Sequence, residues 1–234
     1  MHRKALRTGL GLAAAAGLIL TGSATAAADQ SDGQHGNQNR TVTVFKLDEL
    51  NDSGARGIGV VKLNGNQADV RIFASGLLAD HPHAQHFHIG GAGQCPTSER
   101  DTNGDGIVST VEGQPDYGSI GTSLTTSGDT SPASGLAVDR FPTAPNGFVR
   151  YDRTITVSDE SAQNLRDGNA VIVLHGIDAN NSGTYDGDAP SELNPALPLE
   201  ATAPAACGNQ TVLAGAGADR GLGLDLGLNL FDRR

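Results

Sequence analysis

The clearest pattern along the chain is alternation. Thr41 to Leu47 (TVTVFKL) mixes apolar and polar positions and is rich in β-branched residues, as a strand with one buried face requires. Gly57 to Leu63 (GIGVVKL) is a second such run, reached through the polar turn Asn51-Asp52-Ser53-Gly54. Asp69 to Ala74 (DVRIFA) is a third, across the hairpin-type turn Asn64-Gly65-Asn66. Gly118 to Thr126 reads as a strand after an irregular insertion, and Gly147 to Val157 (GFVRYDRTITV) alternates strongly. Asn169 to His175 (NAVIVLH) departs from the pattern: a continuous apolar run predicts a strand buried on both faces. Helical signals are sparse, with one helical turn over Ser161 to Arg166, capped by Ser158 or Asp159. From His175 to Cys207 the chain reads as turns. About six or seven short strands and few helices predict an all-β Greek-key sandwich or barrel with long loops.

The ends depart from this pattern. Residues 1–28 have the layout of a secretory signal peptide: basic His2, Arg3, Lys4 and Arg7, an apolar run from Leu10 to Leu20, then small residues with two alternative cleavage motifs near Ala26 and Ala28. The apolar run is too short for a membrane span, and no other stretch is long enough, so no transmembrane segment is expected. The chain is thus read as secreted. Residues 29–40 are polar and read as a flexible lead-in, residues 41–210 as one β domain, and residues 211–234 as a Gly/Leu-rich tail. The alternation of Leu222 to Leu230 fits an added edge strand or a disordered tail equally.

Charge narrows the partners. The net charge is −10, and Arg3, Lys4 and Arg7 fall in the leader, so the exported part is more acidic still. Nucleic acid and anionic membranes are poor partners for such a surface, and cations are good ones. The only two cysteines are Cys95 and Cys207. In an exported chain they read as one disulfide, the alternative being two buried thiols.

Two constellations carry chemistry. Four of the seven histidines, His81, His83, His86 and His88, fall in HPHAQHFH. His86 and His88, at i and i+2, point to one face of an extended strand, the beginning of a copper or zinc site. Such a site needs a third ligand, and His175, closing the buried strand, is the candidate. His83 belongs to the same cluster. The second constellation is Asp101-Thr102-Asn103-Gly104-Asp105-Gly106-Ile107-Val108-Ser109-Thr110-Val111-Glu112. It fits the 12-residue calcium loop: Asp101, Asn103, Asp105, Ile107 (through its carbonyl), Ser109 and Glu112 supply oxygens, and Gly106 makes the turn. An Asp/Gly turn without metal is the alternative. Pro96 and Pro115 bracket the loop, so flanking helices are not expected. Asp178, Asn180, Ser182 and Asp186 form a weaker copy, with Ala189 at position 12 and Asp188 or Glu192 as substitutes; turn chemistry accounts for it equally well. No nucleophile elbow, phosphate-cradling loop or catalytic carboxylate pair is evident.

Taken together, His83-x-x-His86-x-His88, the Gly-rich turn with Cys95, the apolar strand ending at His175-Gly176, and Ala206-Cys207-Gly208 resemble the copper/zinc superoxide dismutase superfamily. Gly76-Leu77 followed by His83 to Gly90 is closer to its chordin-type (CHRD) relatives, secreted domains without evident enzymatic character. The resemblance spans about Thr41 to Gly208. It implies that His86, His88 and His175 match copper ligands, that His83 matches a structural histidine, and that Cys95 and Cys207 match the family disulfide. The chain also departs from the dismutases. No histidine lies between His88 and His175, so the bridging and zinc-binding histidines are missing, and Pro204 stands where the anion-guiding arginine is expected. The resemblance therefore implies a metal-binding or structural domain before an enzyme, with a copper-dependent dismutase lacking the zinc site as the alternative.

Overall fold

A computed structural model describes residues 40–214, so the leader, most of the lead-in and the Gly/Leu-rich tail lie outside the described residues. The described chain builds one eight-stranded antiparallel sheet, curled into a half-barrel. Its strands are β1 (Arg40–Glu49), β2 (Arg56–Asn64), β3 (Gln67–Ser75), β4 (Gln85–Gly90), β5 (Gly118–Ser123), β6 (Phe148–Thr156), β7 (Val171–His175) and β8 (Pro204–Ala214). The spatial order is β5-β4-β7-β8-β1-β2-β3-β6. β1, β2 and β3 form the meander the alternation predicts, and Val61 on β2 sits opposite Thr43 on β1 and Val70 on β3. The two edge strands are tied by side chains: Tyr151 Oη and Arg153 on β6 donate to the carbonyl of Thr125, just beyond β5.

Burial separates the sheet into two regions. β1, β2, β3 and β6 bury alternate residues, whereas every residue of β7 and all of β4 but Gly90 are buried. The inner face carries the main core, including Phe45, Leu63, Ile72, Phe87, Ile172 and Leu174. A second, small apolar cluster of Tyr117, Val171, Val173 and Cys207 lies on the outer face. Long connections cover β4 and β7 there, and that covered outer face is where the histidines project.

Three helices interrupt the loops. α1 (Thr110–Tyr117) begins at a Ser109–Glu112 capping box. α2 (Asp159–Asp167) is the expected helical turn, longer by several residues and capped by Ser158. α3 (Leu199–Thr202) is a single turn. Two expectations are corrected here. The stretch before Cys207 does not run as turns to its end, because α3 and the 11-residue β8 occupy it. The calcium-type loop does have an exit helix, α1, and Pro115 lies inside it; in so short a helix the missing N–H falls near the terminal turn, where the cost is smallest.

The disulfide between Cys95 and Cys207 is present, with Cα atoms 5.8 Å apart and a sequence separation of 112. It fastens the turn after β4 to β8, where Cys207 faces Val173 across the strands.

Candidate metal centre

β4 places His86 and His88 on its outer face because they are two residues apart. The register pairs His86 with Val173 and His88 with Val171, so the outward residues of β7 are Val171, Val173 and then His175. Pairing thus delivers the third histidine to the first two. Both strands carry a register shift at the site, between Phe87 and His88 against β5 and between Leu174 and His175 against β8. Bulges of this kind re-aim side chains.

The ring centroids of His86, His88 and His175 are 5.6, 5.1 and 5.9 Å apart pairwise. One ring nitrogen from each lies within 4.8 Å of the other two, the only such group of His, Cys, Asp or Glu among the described residues. Each ring commits its other nitrogen to a backbone carbonyl. His86 Nε2 bonds Gly135 O at 3.1 Å, His88 Nδ1 bonds Gly118 O at 2.9 Å, and His175 Nδ1 bonds Thr202 O at 2.7 Å. A carbonyl only accepts, so each bond puts the proton on that nitrogen and leaves a lone pair on the other. Those others, His86 Nδ1, His88 Nε2 and His175 Nε2, are buried with no hydrogen-bond partner. Buried polar atoms are rarely left so, and a metal fixed by carbonyl-oriented imidazoles is the ordinary reason. An ion bound at 2.0–2.1 Å needs its nitrogens roughly 3.3–3.6 Å apart, within the 4.8 Å limit.

Burial keeps the lone pairs available. Desolvation lowers all three histidines: His86 well below its ordinary value, His88 to about 3 and His175 to about 4. The rings repel each other's charge in the same direction, and the carbonyl bonds oppose only part of it. Neutral imidazole, the ligating form, therefore prevails at neutral pH.

The surroundings come from elements that sequence patterns did not connect to the site. The Tyr117 ring packs on His88 at 4.5 Å, and Phe141 on His86 at 5.3 Å. Gly118, whose carbonyl orients His88, has φ 89°, and a Cβ there would overlap the Ile89 carbonyl; no other residue fits. Thr110 at the start of α1 donates to Thr202 O at 2.6 Å and accepts from Tyr117 Oη through its carbonyl at 2.6 Å.

His83 is buried but not in the triad. Its Nδ1 bonds His175 O at 2.8 Å and its Nε2 bonds Leu78 O at 3.0 Å, with Tyr185 Oη beside both nitrogens. With no nitrogen free it is no ligand; it braces the strand end that carries His175.

The calcium-type loop has the internal bonding that holds such loops open for a cation. Asp101 accepts from Gly104, Asp105 and Gly106 N–H, Asn103 from Asp105 N–H, and Asp105 from Ile107 N–H. Glu112 accepts from the N–H groups at loop positions 2 and 9, Thr102 through Oε1 and Ser109 through Oε2. Burial acts to raise the Glu112 carboxyl, but these bonds outweigh it and hold it below its ordinary value. Asn51 clamps the buried Val108 through both its amide groups, N–H to Oδ1 at 2.8 Å and Nδ2 to O at 3.1 Å.

The second loop repeats this pattern closely. Asp178 accepts from Ser182 and Gly183 N–H, Asn180 from Ser182 N–H, and Ser182 Oγ from Thr184 N–H. The place of Glu112 is taken by Glu200 on α3, which accepts from positions 2 and 9, Ala179 through Oε1 at 3.0 Å and Asp186 through Oε2 at 2.8 Å. The expected substitutes do not hold this place. Glu192 accepts from Ser109 Oγ in the first loop, and neither it nor Asp188 caps the second. Both loops adjoin the triad: α1 leads from the first to Tyr117 and Gly118, and α3 carries both Glu200 and the Thr202 carbonyl that holds His175.

Compared with protein-family models and with curated proteins, the chain matches none.

Proposed function

We propose that this chain is an exported metal-binding β domain of the CHRD type, related to the copper/zinc superoxide dismutases. It holds one copper- or zinc-class ion on His86, His88 and His175 and calcium in loops 101–112 and 178–186. The observation that carries the reading is the trio of buried imidazoles, each with one nitrogen on a carbonyl and one free nitrogen in the shared space. The acidic chain and the oxygen-rich loops support the calcium part. The disulfide and the basic-then-apolar leader support export. The described residues contain no helix long and apolar enough to cross a membrane.

The role is binding or structural. A copper-dependent dismutase is the second reading, favoured by the triad itself. Against it stand the absence of a bridging histidine between His88 and His175, and Pro204 beside His175 in the register. The deciding experiment is metal analysis of the full secreted chain beside superoxide consumption. One tightly held transition-metal ion, lost in His88→Ala without dismutase activity, supports the binding role. Catalytic superoxide loss by the copper-loaded protein, abolished in the same variant, replaces it with the enzyme. Retention of the ion by His88→Ala removes the triad from both.

A further inference from the structure

The donor set says more than that a metal binds. All three ligating nitrogens are neutral, and the groups orienting them are neutral backbone carbonyls. Both cysteines are locked in the disulfide. No fourth His, Asp, Glu or Cys converges with the triad among the described residues. The carboxylate adjoining Tyr117, Asp116, is held by Arg100 through Nε at 2.6 Å and Nη2 at 2.7 Å, so its charge is matched elsewhere. The three histidines are only 2–4 % exposed, and Phe141, Tyr117, Val171 and Val173 around them are apolar or aromatic and buried.

Such a cage distinguishes ions by charge and by coordination number. The solvation lost on burial grows with the square of the charge, so a doubly charged ion costs about four times as much as a singly charged one where nothing negative offsets it. Zn(II) sites are completed by a fourth ligand, and Cu(II) prefers tetragonal nitrogen and oxygen sets. Cu(I) is singly charged with a filled d shell and is satisfied by three donors.

We propose that the trihistidine pocket is a Cu(I) site, holding the reduced ion in preference to Cu(II) and Zn(II). This rests on the trihistidine reading above. A centre of this kind stores or hands on Cu(I) and gives up an electron reluctantly, which also accords with a binding role.

The test uses the full secreted chain under anaerobic conditions. Cu(I) is titrated in competition with bicinchoninate, Zn(II) is added to the loaded protein, and the copper potential is measured by redox titration with electron paramagnetic resonance. One equivalent of Cu(I) is expected to be withheld from the chelator and to survive a thousandfold excess of Zn(II). A thousandfold preference for Cu(I) over Cu(II) raises the potential by about 180 mV over that of aqueous copper. His88→Asp, which adds one negative charge to the donor set, is expected to shift the preference toward Zn(II) by tenfold or more. Displacement of copper by equimolar Zn(II), or Cu(II) held as tightly as Cu(I), overturns the proposal and leaves the triad standing. If the wild type holds none of the three ions in one-to-one ratio, or if His86→Gln and His175→Gln variants that keep the wild-type circular dichroism hold them undiminished, the trihistidine reading falls, and the Cu(I) proposal with it.

Discussion

His86, His88 and His175 are held neutral by burial in the folded chain, whereas in the unfolded chain they titrate near 6.5. Below pH 6.5 the unfolded state therefore takes up protons that the folded state refuses. Stability present above 6.5 falls as the pH drops, and the loss stops for each ring only at its folded value, about 4 for His175 and about 3 for His88. Each ring contributes a slope of up to about 1.4 kcal/mol per pH unit. Urea unfolding of chelator-treated protein between pH 7 and 4 is expected to show this loss, and His88→Phe to flatten it. Equal slopes for the two proteins would mean that His88 is not buried in its neutral form. A different expectation attaches to His83, whose nitrogens both face carbonyls. Replacing it by Phe strands the carbonyls of His175 and Leu78, at about 1–3 kcal/mol. Metal stoichiometry should stay at one while affinity falls, because His83 positions His175 without ligating. Stoichiometry dropping to zero with the fold intact would contradict that.

At the scale of elements, the alternation of β1, β2, β3 and β6 and the doubly buried run of β7 were legible because each strand announces its own faces. What is not local could not be read. β8 ends its core-facing stretch in Gly208-Asn209-Gln210-Thr211 and continues as an exposed strand, so neither length nor hydrophobicity marked it; β1 on one side and β7 on the other define it. The same applies to Glu200. The second loop lacks its twelfth-position acid in sequence, and only the fold of α3 brings Glu200 to positions 2 and 9. Calcium titration should therefore find two ions, falling to one in Glu112→Gln and to one in Glu200→Gln, with Asp188→Ala unchanged. Two ions retained by Glu200→Gln would show that the second loop does not rely on it. Thr110, Tyr117 and Gly118 around the triad were hidden for a related reason: α1 follows the calcium-type loop, and its role at His88 and His175 exists only after the loop has folded.

The molecule as a whole is a curled sheet whose metal sites sit outside its main core, on the covered outer face of β4 and β7. The disulfide closes a segment that contains all of β5, β6 and β7, and the chain-entropy treatment assigns such a closure roughly 4–5 kcal/mol. Cys95→Ser should lower the melting temperature, and should weaken metal retention too, since Cys207 lies on β8 beside the strand that carries His175. Loss of stability with metal affinity unchanged would mean that the bridge acts on the unfolded chain alone. The central claim, three imidazoles on one ion, is tested most directly by X-ray absorption at the metal edge of the secreted, metal-loaded protein. Three nitrogen scatterers at about 2.0 Å with imidazole multiple scattering, lost in His88→Ala, is the predicted result. A first shell of oxygens, or a spectrum unchanged in that variant, would contradict it.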